Sequence, residues 1–280
     1  MAQLATEIER HESFISTFTG AVDGEHSQRL GPRSSRAERQ AAADFLEERL
    51  HELGLDVKRH EYAHPNIHPV LDLFLPPMRG VNIYVEIKAT RHSDHYVIVG
   101  AHYDTAEGSP GADDNASGVS TLLTVAERIS NQSSRSINYI FVFFDQEEDD
   151  LGPGSKTFAQ YLLDRDLTIH SMHNVDMIGY DGNENRTLEV EVPDNLRPAY
   201  LRAANDWAME LRFVRFNSSD HIPFRDLGID AICLGEEVSS GDLNPHYHSA
   251  QDIVDHIDFE FLARGSLLVG DVLASLEAPS

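Results

Sequence analysis

The sequence YVIVGAHYDT at residues 96–105 decides the fold, and PGADDNASG follows closely at residues 110–118. Residues 97–99 form a short continuous apolar run, which is typical of a strand whose two sheet faces are both covered. Sheets of this kind carry their chemistry beyond the carboxyl ends of the strands. We therefore predict that this strand delivers His102 and Asp104 to a functional site.

The spacing of His102 and Asp104 allows one side chain to hold the other. Residues two apart in extended backbone share a face, so the Asp104 carboxylate could bind an imidazole nitrogen and orient the ring. For a lone His-x-Asp pair, a surface ion pair is the ordinary alternative. The pair therefore needs support from other segments.

An acidic turn opens a helix directly after this strand. Asp113, Asp114 and Asn115 precede apolar residues at helical spacing, namely Val119, Leu122, Leu123, Ala126 and Ile129. Helix capping explains one acidic residue at this place, and hardly two in a glycine-flanked loop. A second apolar strand at residues 140–144 runs into DQEEDD at 145–150, where the acidic groups repel each other unless positive charge lies among them.

Two later segments make the pattern specific: NVDMIGY at residues 174–180, and YHS at 247–249 with Asp252 following. In chain order the five motifs are His-x-Asp at residues 102–104, DDNASG at 113–118, the Glu pair at 147–148, NVDM at 174–177 and YHS at 247–249. Together they resemble the M28 family of zinc aminopeptidases, over roughly residues 35 to 275. Five ordered motifs are much harder to obtain by chance than any one of them. The resemblance implies a metal-dependent exopeptidase.

The resemblance and the alternating pattern together predict an α/β fold of the zinc-exopeptidase type. We expect one catalytic domain over residues 1–280, with a mixed, mostly parallel central sheet flanked by helices. An N-terminal helical segment, about residues 1–53, should pack on it. Later in the chain the pattern predicts a helix near residues 196–211 and strands near 213–216 and 229–234.

The resemblance also implies a ligand set for two zinc ions, and the same ligands suit manganese or cobalt. His102 and Asp176 would hold one ion, Glu148 and His248 the other, and Asp114 would bridge them. In relatives the peptide bond after this Asp is cis. Two metal ions can activate a water for attack on a carbonyl group.

Glu147, next to the predicted ligand Glu148, is the candidate general base that takes a proton from the water and passes it to the leaving amine. Asp104 would orient His102. Tyr247 could donate a hydrogen bond to the developing oxyanion, and simple aromatic packing is the equally weighted alternative.

The remaining site predictions concern the substrate and one competing ligand. Asp220 and His221 are predicted to shape the substrate rim, although Ser219 or Asp220 could simply cap a helix. His246 competes with His248 as a ligand, and the Tyr-His-Ser order favours His248.

Three other functions stay open at this point. Glutaminyl cyclases are related acyltransferases that use one zinc, and DHIPF at residues 220–224 resembles their segment, whereas the acidic turn has the aminopeptidase form. A carboxypeptidase or amidohydrolase acting on N-acyl amino acids would need a basic carboxylate clamp, for which Arg212, Arg215 and Arg225 are candidates. A non-enzymatic binding domain would be expected to lose ligands.

Composition limits the binding partners and the cellular location that we expect. A net charge of -25 argues against nucleic acid or anionic lipid as a main partner, and the resemblance implies a peptide or small amide substrate. We find no signal peptide or membrane span and one cysteine, so we expect a cytoplasmic protein. Many acidic residues beside only three lysines, Lys58, Lys88 and Lys156, suggest the hypothesis of a halophilic origin. Oligomeric state and side-chain preference stay open.

Overall fold

Eight strands form one mixed sheet in the computed structural model of the chain, which describes residues 2–22, 30–66, 74–149 and 152–276. The strands in chain order are β1 (Val57–His64), β2 (Met78–Ile87), β3 (His95–His102), β4 (Asn138–Phe144), β5 (Thr168–Val175), β6 (Thr187–Glu191), β7 (Glu210–Phe213) and β8 (Ala231–Gly235). Their order across the sheet is β1-β2-β4-β3-β5-β8-β6-β7.

The four central strands, β4, β3, β5 and β8, run parallel, while β2 and β6 pair antiparallel to β4 and β8 on either side. All four therefore end at the same edge of the sheet. The chain passes from β3 to β4 on one side and then to β5 on the other side of β3. Such a reversal of strand order leaves a crevice at the carboxyl ends, which is where open α/β sheets bind ligands.

Seven helices cover the sheet within the described residues: α1 (Ala2–Phe18), α2 (Arg36–Glu52), α3 (Ala116–Ser130), α4 (Pro153–Asp164), α5 (Arg197–Trp207), α6 (Ile222–Asp226) and α7 (Phe259–Ser275). Along β3, Val97 and Val99 enter the larger core, which also contains side chains from α2, α3, α5 and α7. Ile98 points to the other face and joins the smaller core formed with α4 and α6. This alternation follows from the two-residue period of a strand. It confirms the predicted α/β fold with helices on both faces.

The N-terminal segment contributes α1 and α2 on the same face as the larger core. α1 packs against α7 and α3, where His11 Nδ1 lies 2.6 Å from the Ser120 hydroxyl. α2 packs against β1 and β2, and a capping box between Ser35 and Glu38 starts it. No helix in the described ranges combines the length and apolar character that crossing a membrane requires.

One predicted boundary is wrong. The helix expected to reach residue 211 ends at Trp207, because Ala208 adopts a left-handed conformation with φ of 54°. The Glu210 N–H then bonds to the Arg186 oxygen at 2.8 Å, which starts β7 three residues earlier than predicted.

Candidate metal centre

The predicted site residues meet at the edge where the central strands end. His102 is the last residue of β3, Glu148 follows β4, and Asp176 follows β5 directly. Asp114 lies in the turn before α3, and His248 comes from the loop after β8. Parallel strands bring these distant segments together because their carboxyl ends share one edge.

The Asp114 carboxylate lies between two imidazoles. Its Oδ1 is 3.1 Å from His102 Nε2, and its Oδ2 is 3.2 Å from His248 Nε2. Asp114 is 4% exposed, so neither oxygen relies on bulk water. One carboxylate that offers an oxygen to each side has the arrangement of a bridging ligand. The peptide bond after Asp114 is cis, as the resemblance implied.

Glu148 and Asp176 complete the cluster on opposite sides. Glu148 Oε2 lies 2.9 Å from His248 Nε2, and its buried Oε1 has no hydrogen-bond partner among the described residues. Asp176 Oδ1 lies 3.2 Å from His102 Nε2, and its Oδ2 accepts a hydrogen bond from the Ser219 hydroxyl. Ligand atoms of His102, Asp114 and Glu148 lie within 4.8 Å of one another and could hold a metal ion.

Behind Asp114, the Asp252 carboxylate holds the backbone of the turn. Its two oxygens accept the N–H groups of Asp113 and Asp114 at 2.9 and 3.1 Å. The Asp113 side chain points the other way and accepts hydrogen bonds from the Gly179 N–H and the Asn244 amide, each at 2.8 Å. Asp113 is therefore held by hydrogen bonds that stabilise the turn, a role that the sequence did not predict.

The Asp104 carboxylate mainly binds the backbone that follows β4. Its Oδ1 and Oδ2 accept the backbone N–H groups of Glu147 and Glu148 at 3.0 and 3.1 Å. The Asp104 backbone oxygen lies 3.2 Å from His102 Nδ1, whereas its carboxylate stays 3.5 Å away. The predicted orientation of His102 thus involves the backbone of Asp104 as well as its side chain.

The centre carries more negative than positive charge. Burial raises the pKa of Glu147 well above its usual value, and nearby Asp176 and Asp220 raise it further, while His102 lowers it. Burial also raises the pKa of Glu148, to about 9, with Asp114 adding to the effect. For Asp114, hydrogen bonds from His102 and His248 outweigh burial and lower the pKa. Carboxylates with raised pKa values in an oxygen-rich cluster are stabilised as anions by a bound cation.

A cavity of about 470 Å³ opens beside the centre. Glu147, Glu148 and His248 line it, together with Tyr247 and Asp220. The Tyr247 ring stacks on the His248 ring with centroids 3.7 Å apart.

Two predicted neighbours of the cavity differ in placement. Burial raises the pKa of Asp220 to about 7 at the cavity wall. His221 does not line the cavity, and its buried ring is turned toward Glu191, with Nε2 3.5 Å from a Glu191 carboxylate oxygen. Asp220 therefore lies at the wall of this cavity, whereas His221 does not. His246 also lies apart from the carboxylates and stacks on His256 at 3.9 Å.

Comparison with known proteins identifies the family of this chain. The model of peptidase family M28 matches residues 82–273, which is more than half of the chain. The chain belongs to peptidase family M28. The match begins within β2, spans all strands from β3 onward and includes every predicted metal ligand.

Curated M28 relatives share part of their length with this chain. Aminopeptidase YwaD of Bacillus subtilis (strain 168) is 33% identical over 192 residues, covering 65% of this chain and 41% of YwaD. The probable lipoprotein aminopeptidase LpqL of Mycobacterium tuberculosis is 27% identical over 209 residues, covering 63% of this chain and 41% of LpqL. The chain thus spans about two fifths of the length of these relatives.

Solved structures share the fold along almost the whole chain. BSAP, a zinc aminopeptidase from Bacillus subtilis, superposes with a TM-score of 0.80 at 19% identity, covering 95% of this chain and 94% of that one. Porphyromonas gingivalis glutaminyl cyclase superposes with a TM-score of 0.76 at 23% identity, covering 95% and 97%. The fold of this M28 chain is therefore common to both classes of enzyme.

Arg33 lies outside the M28 match but reaches under the centre. Its side chain is fully buried, and its guanidinium donates to four backbone oxygens, those of Gly31, Tyr103, Pro110 and Gly111. Burial lowers the pKa of Arg33 to about 10, and the negative charges of Asp252 and Asp104 oppose that shift. Arg33 thus ties the segment before α2 to the residue that follows His102 and to the loop that carries Asp114. Sequence reasoning missed it because no local pattern marks such a residue.

Proposed function

We propose that this chain is a metallo-aminopeptidase that removes N-terminal residues from peptides. Membership of peptidase family M28 supports a peptidase, and similarity to curated aminopeptidases supports this class. The observation that carries the proposal is the Asp114 carboxylate, which offers one oxygen toward each of two imidazoles, His102 and His248. This geometry favours two metal ions over one.

The donor set fits two zinc ions. We assign His102 and Asp176 to one ion, Glu148 and His248 to the other, and Asp114 to both. The buried Glu148 Oε1, which lacks a hydrogen-bond partner among the described residues, supports its role as a ligand. Imidazole with carboxylate oxygens suits zinc, and also manganese or cobalt. When bound, the ions supply an activated water and polarise the scissile carbonyl.

The proton chemistry belongs to Glu147. Its carboxylate takes the proton of the attacking water and delivers it to the leaving amine, so that the amine departs neutral. The Asp104 carboxylate fixes the Glu147 backbone through its N–H at 3.0 Å, which supports a defined position for the base. Tyr247 lines the same cavity and is the proposed hydrogen-bond donor to the oxyanion of the tetrahedral intermediate.

The acidic cavity favours a substrate with a free α-ammonium group. Asp149, Asp220 and Asp226 line it along with Glu147 and Glu148. Among the described residues that line it, Lys156 is the one basic residue besides His248. Opposite charges attract strongly at short range in a partly buried site. An N-terminal ammonium can therefore be selected by charge over a blocked terminus.

The carboxylate-clamp alternative receives no support from the arginines considered for it. Arg212 lies 2.9 Å from Glu237, Arg225 lies 2.8 Å from Glu191, and Arg215 lies 3.8 Å from Glu191. None of the three lines the cavity beside the metal centre. Their charges are directed to nearby glutamates, which argues against a carboxypeptidase or an amidohydrolase for N-acyl amino acids.

A glutaminyl cyclase is the second candidate, because solved cyclases share the fold at a TM-score of 0.76 and the DHIPF segment contributes Asp220 to the cavity. The two functions differ in metal content and product. A cyclase with one zinc releases ammonia from an N-terminal Gln peptide, whereas an aminopeptidase releases the free amino acid.

The test combines metal content with a substrate panel. We expect about two zinc ions per chain by mass spectrometry, cleavage of free aminoacyl anilides, and no cleavage of N-acetylated ones. Glu147→Gln should keep the zinc and lose roughly 10²–10⁴-fold in kcat, while Glu184→Gln, an exposed control, should keep full activity. One zinc with ammonia release would favour the cyclase, and no turnover of any substrate would contradict both.

We further propose that residues 1–280 act as one catalytic unit, since Arg33 and α1 pack against elements of the matched region. The strong negative charge supports the hypothesis of adaptation to high salt.

A further inference from the structure

A second cavity, of about 380 Å³, lies on the sheet face between α2 and the β1–β2 edge. Four arginines line it: Arg36, Arg39, Arg59 and Arg79. Of the described acidic residues, two line the same space, Glu61 and Asp145. It shares no lining residue with the cavity beside the metal centre. Concentrated positive charge is unexpected on a chain whose net charge is -25.

The fold explains why these arginines converge. In the antiparallel β1–β2 ladder, Ala63 pairs with Arg79 and Arg59 pairs with Ile83. Arg59 and Arg79 therefore stand on the same face of the sheet, the face that Ile83 buries in the larger core against α2. The first turn of α2 adds Arg36 and Arg39 from above.

The arrangement is not explained by the stability of α2. A cation in the first turn of a helix opposes the helix dipole and is mildly destabilising. Arg36 and Arg39 occupy that turn, whereas the capping box of Ser35 and Glu38 supplies the favourable contacts. The helix dipole therefore does not account for these two arginines.

Two of the four arginines are paired with carboxylates, and the other two are not. Arg39 lies 2.8 Å from Asp145, and Arg59 is paired with Asp44 and Glu47 on α2. Arg36 and Arg79 have no carboxylate partner among the described residues, and both are exposed residues that line the cavity. The cavity therefore holds two guanidinium groups whose donors are free for a ligand.

We propose that this cavity binds a small oxyanion with at least two negative charges, such as a phosphate-bearing or polycarboxylate molecule. The guanidinium fork donates two parallel hydrogen bonds to phosphate or carboxylate oxygens, and two unpaired forks match a dianion. A volume of about 380 Å³ is within the range of small-molecule sites. The proposal does not depend on the peptidase activity.

The test is calorimetric titration of the full chain with inorganic phosphate and with tricarballylate, a tricarboxylate, at constant ionic strength. We expect saturable binding of at least one anion at one site. The double variant Arg36→Gln/Arg79→Gln should lose tenfold or more in affinity. Arg91→Gln/Arg202→Gln removes the same charge from exposed positions outside the cavity and should bind as the parent does.

Each outcome of the anion titrations either supports the proposed site or overturns it. Binding of phosphate alone or of tricarballylate alone identifies the class of ligand. No saturable binding of either anion overturns the proposal, and so does binding that the Arg36/Arg79 variant retains, because the anion then sits elsewhere, for example at the metal centre. Unchanged thermal melting of the double variant ensures that a loss of affinity is not a loss of fold.

Discussion

The Asp104 carboxylate holds the backbone of Glu147: its Oδ1 accepts the Glu147 N–H at 3.0 Å, across 43 residues of sequence. Asp104 follows β3 and Glu147 follows β4, so the bond joins the ends of two neighbouring parallel strands. The second oxygen accepts the N–H of Glu148 in the same way. One carboxylate thus fixes the backbone of both the proposed base and a proposed ligand.

Asp104→Asn should therefore impair catalysis more than metal binding. The amide replaces one acceptor oxygen by a donor, so one of the two N–H groups loses its partner and Glu147 loses its fixed position. We expect kcat to fall roughly 10–100-fold, as is usual for groups that support a metal site from behind. Steady-state kinetics with zinc analysis checks this. Asp94→Asn, at an exposed carboxylate before β3, is the control, and equal activities of the two variants would contradict the role of Asp104.

His246 and His248 offer a matched pair for the metal count. His248 Nε2 faces Asp114 and Glu148, whereas the His246 ring stacks on His256. His248→Ala should reduce the zinc content from about two ions to about one, because the remaining ligands of that ion are carboxylates alone. His246→Ala should keep both ions. Metal analysis after dialysis distinguishes the two, and an equal loss in both variants would contradict the assignment of His248.

How far sequence could predict this site depends on the range of the interactions. Strand ends such as His102 and the turn at Asp114 are marked by local patterns, and parallel pairing brings them to one edge. The Asp252 carboxylate binds backbone 138 and 139 residues away, and the contact has no local signature. The same holds for Arg33, whose partners are backbone oxygens that any residue provides.

His221 shows a second limit of sequence-based prediction, which concerns the direction of a side chain. Its neighbour Asp220 suggested the substrate rim, and one residue further along the chain the ring turns inward toward Glu191. The direction of a side chain in an irregular loop is set by tertiary packing, which periodicity does not describe. The end of α5 at Trp207 was missed for a related reason, since Ala208 carries no sequence signal for a left-handed conformation.

Buried His11 should make stability depend on pH. Burial, together with the nearby positive charge of Arg10, lowers the pKa of His11 to about 3. Between pH 3 and the usual value near 6.5, the unfolded chain binds a proton that the folded chain does not, so this contribution to the free energy of unfolding is complete above pH 6.5 and is lost as the pH falls. The loss is on the order of 1 kcal/mol per pH unit.

His11→Gln should flatten this dependence, because glutamine can bond to the Ser120 hydroxyl without titrating. Chemical unfolding at several pH values measures the slope. His51→Gln changes an exposed histidine in the same way and should keep the parent slope, including any effect of metal loss. Buried His173, whose pKa is also lowered to about 3, leaves part of the dependence in both variants. Equal slopes in His11→Gln and His51→Gln would contradict the argument.

The net charge of -25 should make the fold more stable in salt. Repulsion among surface carboxylates opposes the compact state, and molar salt shortens the screening length to about 3 Å. We expect the melting temperature to rise by on the order of 5 °C between dilute buffer and 1 M KCl, which corresponds to roughly 3 kcal/mol for a chain of this length. Scanning calorimetry measures this rise.

A charge-neutralised variant separates screening from general effects of salt on hydrophobic burial. Glu12→Gln, Glu184→Gln and Asp206→Asn together remove three exposed negative charges without removing an ion pair among the described residues. If repulsion is the cause, this variant melts higher than the parent in dilute buffer and gains less from KCl, because there is less repulsion to screen. A parent whose melting temperature is unchanged by molar KCl would rule out the halophilic hypothesis, and an equal gain in parent and variant would assign the effect to burial instead.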